Sequence, residues 1–144
     1  GSEAECLTPD FERTKSDYLA ATNAAAAAEG LLGNIWYSSL GWRGSQLIGS
    51  NGQTLPALDA MRVNAEKLDG AAFSRRIDEF ENVLGYEFAR QGVQMWVLWS
   101  LDNQPHTVTL PEVPDQVSDV FGEALATGQE LEITVSPVYV EWLP

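Results

Sequence analysis

The chain has 144 residues, a length typical of one domain or of two small halves that share a core. Its 21 acidic and 8 basic residues give a formal net charge of -13, which argues against attraction to the phosphates of nucleic acid. Hydrophobic residues make up 44% of the chain, and five Trp, four Tyr and five Phe are too many aromatic residues for a disordered protein. No apolar run approaches the roughly 20 residues that a membrane-spanning helix needs, and no signal peptide is recognised.

The chain has one cysteine and one histidine, which limits the disulfides and metal sites that it can form. One cysteine, Cys6, cannot form an intrachain disulfide, and one histidine, His106, cannot build a histidine-rich metal cluster. The turn at Asp102 and Asn103 lacks the spaced oxygen ligands of a calcium site. We therefore expect no metal site and no cofactor.

Composition changes near residue 70. Residues 1–70 contain eleven of the sixteen alanines and one valine, whereas residues 71–144 contain the other ten valines. Alanine favours helices and valine favours strands. The sequence therefore predicts a helix-rich domain over 1–70 and a β-rich domain over 71–144.

The first domain begins with a well-marked helix. Thr8 can cap its N-terminus, Pro9 suits the first helical position, and Gly30 is a good C-terminal stop. Residues 31–37 follow as a short and nearly all-apolar segment, which is typical of a strand buried on both faces. A strand without neighbours in its own half must pack on the second domain or pair with a second chain.

A glycine-rich loop leads from this strand into a second helix, which is predicted from about Thr54 to Gly70. After Gly70 the pattern changes to short strands separated by turns. They are predicted near 72–77, 83–90, 93–100, 106–110, 117–121, 130–135 and 138–143. The fold class is therefore α+β: two helices and one barrel-type strand, followed by an antiparallel β-sandwich of about seven strands.

Several motifs of the chain resemble a known enzyme family. They lie in residues 33–39, 41–45, 50–53 and 56–60, and then in 96–100, 120–122 and 137–142. The first group resembles the final β/α unit of the retaining (β/α)8-barrel glycoside hydrolases of the cellulase-like clan. The second group is similar to the small β-sandwich that follows the barrel in such enzymes. A complete barrel needs roughly 250 residues, so the resemblance implies the C-terminal portion of such a protein.

The resemblance also implies catalytic residues. The nucleophile of the clan is a glutamate at the end of the seventh strand, and Glu3 matches that position best, with Glu5 as the alternative. The clan's acid/base residue follows the fourth strand, for which this chain has no counterpart. Because retaining hydrolysis needs two carboxyl groups about 5 Å apart, we expect the chain to be inactive alone.

The same resemblance implies a carbohydrate ligand, since sugar rings pack on aromatic side chains. Trp36 lies at the C-terminal end of the predicted barrel strand, where barrel active sites are found. We expect it to stack on a sugar, with Trp42 and Arg43 lining an outer subsite on the following loop. Tyr37 should point the opposite way, toward the helices. Each of these residues could equally have a structural role.

Three functions remain open at this point. The chain could be the C-terminal part of a glycoside hydrolase-like protein, a carbohydrate-binding module with exposed aromatics on the sandwich, or a structural domain that stabilises a barrel. The expected partners are carbohydrate and either the remainder of the barrel or a second copy of the chain. Neither nucleic acid nor a membrane is expected, and only the family resemblance favours an extracellular location. Trp96, Trp99 and Trp142 lie in apolar runs and are predicted to be core residues.

Overall fold

The computed structural model describes residues 8–40 and 44–144. Within these residues two helices, α1 (Pro9–Ala28) and α2 (Pro56–Leu68), precede seven strands. The strands are β1 (Ala72–Ile77), β2 (Val83–Arg90), β3 (Val93–Ser100), β4 (His106–Thr109), β5 (Gln116–Ser118), β6 (Glu130–Ile133) and β7 (Val138–Trp142). The predicted α+β class, with two helices and then seven antiparallel strands, is confirmed.

Helix α1 begins as its sequence predicts. The hydroxyl of Thr8 accepts a hydrogen bond from the backbone N–H of Phe11 at 3.3 Å, and Pro9 occupies the first helical position. The cap satisfies one of the N–H groups that have no partner within the helix. At the other end Gly30 has a φ of 68°, a left-handed conformation that glycine adopts without strain.

The strands form two antiparallel sheets. The larger has the order β1-β2-β3-β7-β5, and the smaller pairs β4 with β6. Strand β3 lies at the centre of the larger sheet, between β2 and β7. Its run Met95 to Trp99 is apolar at every position because both faces of the sheet are covered, as predicted.

The larger sheet is the middle of three layers. On one face Trp96 and Leu98 pack against Ile133 of the smaller sheet. On the other face Val97 belongs to a cluster that includes Ala24 of α1. The helices therefore cover the face of the larger sheet that lies opposite the smaller sheet.

Polar contacts also join the helices to the sheet. The Asn64 side chain of α2 donates a hydrogen bond to the Tyr139 hydroxyl at 2.9 Å and another to the Ala20 carbonyl at 3.4 Å. Lys67 forms an ion pair with Glu141 of β7. Because one amide connects α1, α2 and β7, the helical half is fixed to the sheet rather than separate from it.

The buried Tyr139 makes the stability of the protein depend on pH in alkali. Burial raises the pKa of Tyr139 to about 12, from an ordinary value of 10.0. Because the pKa of this phenol is higher in the folded than in the unfolded protein, its contribution to stability is fully present below the unfolded pKa. The contribution is lost as the pH rises through the folded pKa. We expect roughly 3 kcal/mol of unfolding free energy to be lost between pH 10 and 12, at about 1.4 kcal/mol per pKa unit. Urea denaturation across this range should show the loss, and Tyr139→Phe should flatten it; an equal slope in the variant would contradict the assignment to Tyr139.

The segment 31–37 is the main difference from the predicted fold. It pairs with no strand in the described part of the chain, and Trp36 is the only one of its seven residues that is half-buried rather than exposed. Leu32 is 110% exposed and Ile35 is 92% exposed, relative to the extended reference. The prediction of cover by the second domain is therefore wrong, since the helices already occupy that face of the larger sheet. The predicted alternative, pairing with a second chain, stays a prediction.

Candidate functional site

The predicted site residues divide into two groups. Glu3, with its alternative Glu5, and also Trp42 and Arg43, lie outside the described residues, so their roles stay predictions. Trp36 is described and lies at the end of the apolar segment that connects α1 to the following loop. The geometry of the candidate site is therefore that of Trp36 and its surroundings.

Trp36 is held between the two helices and the loop. Its half-buried ring packs beside a cluster that includes Leu19 of α1 and Ala57 of α2. The indole Nε1–H donates a hydrogen bond to the Ser45 carbonyl at 2.7 Å. The centroid of the ring lies 6.3 Å from that of Tyr18, at an interplanar angle of 57°. These contacts fix the plane of the ring, and its expected role in sugar stacking stays a prediction.

The Tyr37 side chain points to solvent and not toward the helices. Its side chain is 73% exposed, whereas the prediction packed it against the helices. That prediction is wrong because Trp36 occupies the space between the helices, and neighbouring residues of an extended segment point to opposite sides. Alternation in the sequence correctly indicates that the two rings point apart, but it does not indicate which of them meets the helices.

An open cleft of about 290 Å³ runs along this segment. Aromatic and polar side chains line it together, a combination found where sugars bind. The lining residues are Tyr18, Thr22, Asn34, Ile35, Trp36, Tyr37 and Ser45. The Asn34 amide is oriented by a hydrogen bond that it donates to the Asn23 side chain at 2.7 Å.

A buried ion pair of α1 contacts the loop on either side of Ser45. Lys15 Nζ donates to Glu12 Oε1 at 2.6 Å, to the Gly44 carbonyl at 3.1 Å and to the Gln46 carbonyl at 2.7 Å. The Lys15 and Glu12 side chains are only 4% and 6% exposed. Sequence reasoning missed this pair, although an acid and a base three residues apart on one helix were visible as a candidate ion pair.

A second cluster of charged residues joins α1 to the end of the sandwich. Asp17 accepts hydrogen bonds from Arg13 Nε at 3.2 Å and from the Ser136 hydroxyl at 2.7 Å. Burial raises the pKa of Asp17, although both of these hydrogen bonds oppose the rise. Arg13 also pairs with Asp119 at 3.4 Å. Because every one of these side chains has a protein partner, the cluster serves to hold α1 against the sandwich.

The sandwich tryptophans are mostly core residues, as predicted. Trp96 and Trp142 are buried, with their rings edge to face at 5.2 Å between centroids. Each indole N–H is satisfied inside the protein: Trp96 donates to Glu87 Oε2 at 2.9 Å, and Trp142 donates to the Glu112 carbonyl at 3.4 Å. Trp99 is half-buried beside Tyr86. The sandwich therefore does not present these three rings as a flat ligand platform.

The described residues contain neither a metal-binding cluster nor a membrane-spanning helix. Across 8–40 and 44–144, no three His, Cys, Asp or Glu side chains are grouped so that they could hold a metal ion. The helices of the same residues include none with the length and apolarity to cross a membrane.

His106 hydrogen-bonds Asp102 at 2.7 Å, and this contact lowers the pKa of the Asp102 carboxyl. The two residues thus close the turn that leads into β4.

Comparison with known proteins gives matches in fold. No family model matches the chain, and no curated protein matches it either. A family 39 glycoside hydrolase from the gut symbiont Bacteroides cellulosilyticus WH2 matches 90% of this chain with a TM-score of 0.71 and 15% sequence identity. A GH30 endoxylanase from Clostridium papyrosolvens C71 matches 96% with a TM-score of 0.57 and 12% identity. An Anoxybacillus alpha-amylase matches 98% with a TM-score of 0.52, also at 12% identity.

The chain has the fold of one part of a glycoside hydrolase. It spans 30%, 39% and 34% of the lengths of these three matched chains, respectively. The resemblance inferred from the sequence motifs is thereby confirmed at the level of fold. At such low identities the likeness concerns the fold alone, and activity and substrate do not follow from it.

Proposed function

We propose that this chain is the C-terminal part of a barrel glycoside hydrolase that acts on carbohydrate. In this proposal residues 1–70 supply the last β/α units of the barrel, and residues 71–144 form an accessory β-domain that stabilises them. The observation that carries the proposal is the exposed apolar segment 31–37 between two well-packed helices. A barrel strand separated from its neighbouring strands would have this exposure.

The exposure of the segment supports a missing covering layer. Leu32, Ile35 and Tyr37 are large apolar or aromatic side chains, and all three are mostly exposed. Apolar side chains exposed singly are common on proteins, but a contiguous run of them marks an interaction surface. In the proposal the remaining barrel strands pair with both edges of the segment and bury Leu32 and Ile35, whereas Tyr37 at the end of the segment stays accessible in the cleft.

The contacts of the sandwich support its proposed role in stabilising the barrel. Asn64 and Lys67 of α2 reach Tyr139 and Glu141 of β7, and Ala24 of α1 packs on the same face of the sheet. In the proposal the sheet sets the spacing of the two helices. Since segment 31–37 lies between the helices, the sheet would also set the position of the barrel strand.

The proposed sugar site consists of the four residues predicted from the sequence and of Tyr37. Glu3 would be the nucleophile, and Trp36, Trp42 and Arg43 would bind substrate. Tyr37 joins them because its exposed ring lines the same cleft as Trp36. A nucleophile without a general acid cannot protonate the leaving oxygen, so the proposal includes no turnover by this chain alone.

The alternative of a carbohydrate-binding module has less support. It needs two or three exposed coplanar aromatic side chains on the sandwich. Trp96 and Trp142 are buried in the cluster between the two sheets, and Trp99 is half-buried on the opposite face of the larger sheet. The aromatic residues of the cleft beside α1 are a better match to a sugar.

The test uses the 144-residue chain with a panel of aryl β-glycosides and with calorimetry against oligosaccharides. We expect no hydrolysis, and weak binding that Tyr37→Ala lowers about 5-fold, because one aromatic contact contributes roughly 1 kcal/mol. Trp99→Phe is the control and should leave the affinity unchanged. Hydrolysis that is lost on Glu3→Gln would mean that a complete site is present. Binding that is lost on Trp99→Phe but kept in Tyr37→Ala and Trp36→Phe would support the binding module instead.

A further inference from the structure

Three consecutive backbone carbonyls of the loop before α2 accept hydrogen bonds from side chains on other parts of the chain. The Gly44 and Gln46 carbonyls accept from Lys15 Nζ, at 3.1 and 2.7 Å, and the Ser45 carbonyl between them accepts from Trp36 Nε1 at 2.7 Å. Loops usually vary in conformation and are solvated. Here two side chains fix three peptide groups in a row.

The Lys15 ammonium group uses all of its hydrogen-bond donors in these contacts. An ammonium group has three N–H donors, and those of Lys15 contact Glu12 Oε1 and the two loop carbonyls. Burial of a charge is costly unless the charge is paired and hydrogen-bonded. Glu12 supplies the opposite charge, and its side chain is buried as well. An uncharged side chain at position 15 could fill the space, but it could not bind both carbonyls.

The conformation of the loop depends on the same contacts. Gly44 is buried and has a φ of 78°, which side chains other than hydrogen rarely allow. This conformation directs the Gly44 carbonyl to the lysine. The next peptide then presents the Ser45 carbonyl to the Trp36 indole, so the two anchors act on adjoining peptide groups.

We infer that Lys15 is a positioning residue: through the carbonyls of Gly44 and Gln46 it orients the Ser45 carbonyl, and thereby the Trp36 ring in the cleft beside α1. Glu12 has a supporting part, because it neutralises the lysine. The consequence for sugar binding rests on the proposed function, whereas the effect on Trp36 does not.

The first measurement follows the indole N–H groups by NMR on protein labelled with 15N-tryptophan. In Lys15→Met the Trp36 indole resonance should shift, because the Ser45 carbonyl is no longer held, whereas the indole resonances of Trp96 and Trp142 should keep their positions. Trp96 and Trp142 are internal controls, since their acceptors are Glu87 and Glu112 of the sandwich. A merely structural role of Lys15 would affect all three indoles alike.

Two further variants keep the measurement decisive. Arg13→Met removes a cation from the same helix. Because the Arg13 side chain contacts the sandwich and not the loop, the variant should leave the Trp36 signal unchanged. If Lys15→Met does not fold, Glu12→Leu/Lys15→Met removes the unpaired acid together with the base and should give the same shift in a folded protein. An unchanged Trp36 resonance in the folded single or double variant would overturn the inference.

The second measurement is calorimetric titration with the oligosaccharide that wild type binds best. The double variant should bind it about 10-fold more weakly, while Arg13→Met should match wild type. If the wild-type chain binds no sugar, the proposed function fails but the NMR result still decides the role of Lys15. If the Trp36 resonance shifts and the affinity does not change, Lys15 positions a ring that the sugar does not use, and the link between this inference and sugar binding is overturned.

Discussion

Lys15→Met is expected to lower the free energy of unfolding by about 3–5 kcal/mol, the range measured when one partner of a buried ion pair is removed. The variant would leave the Glu12 carboxylate buried beside an apolar side chain, at 6% exposure. It would also leave the Gly44 and Gln46 carbonyls without the lysine donor. Chemical denaturation at neutral pH measures the loss directly.

An exposed pair on α2 provides the matched control. Arg62 and Asp59 are three residues apart, as Lys15 and Glu12 are, but their side chains are 61% and 54% exposed. Arg62→Met should therefore cost less than about 0.5 kcal/mol. The double variant Glu12→Leu/Lys15→Met should recover at least half of the loss, since a buried pair replaced by apolar side chains is often nearly neutral. Equal losses in Lys15→Met and Arg62→Met would show that burial does not set the strength of the pair.

Local signals in the sequence predict most of the fold. The cap at Thr8 and the stop at Gly30 define α1 because they act on the helix ends themselves. The run at 95–99 predicts a strand with both faces covered, and β3 confirms it since sheet and helices cover it within this chain. These predictions succeed because the partners that satisfy them lie in the same chain.

The segment 31–37 shows where such reasoning stops. An apolar run indicates that a segment needs to be buried, but it does not indicate what buries it. At 95–99 the cover is present in the chain, and at 31–37 it is not. Both runs are mostly apolar, although 31–37 also contains Gly33 and Asn34, and apolarity alone does not indicate what covers each run.

The candidate site was predicted less completely than the fold, for a related reason. Alternation indicates that Trp36 and Tyr37 point apart, and the structure agrees, but the helix packing decides that Trp36 points inward. The role of Lys15 depends on carbonyls that follow it by 29 and 31 residues. Contacts between a side chain and a distant backbone leave no periodic signal in the sequence. The contacts of Lys15 with the loop could therefore not be predicted from sequence periodicity.

The exposed segment should make the isolated chain self-associate. Leu32 and Ile35 are almost fully accessible, and burial of each such side chain contributes about 1.5–3 kcal/mol. In a two-fold dimer both copies contribute both side chains, so the effect of a substitution is doubled. We expect Leu32→Ser/Ile35→Ser to weaken the dimer about 100-fold or more, measured by sedimentation equilibrium.

The control for this experiment removes two exposed apolar side chains, each about half as exposed as Leu32 and Ile35, from another part of the protein. Val113 and Leu125 are 58% and 43% exposed and lie outside the segment. Val113→Ser/Leu125→Ser should leave the dimer intact, because general surface apolarity is not the cause of association. A wild-type chain that remains monomeric up to its solubility limit would contradict the expectation. A dimer that both double variants weaken equally would place the interface outside 31–37, and it would remove the main support for a barrel strand at that position.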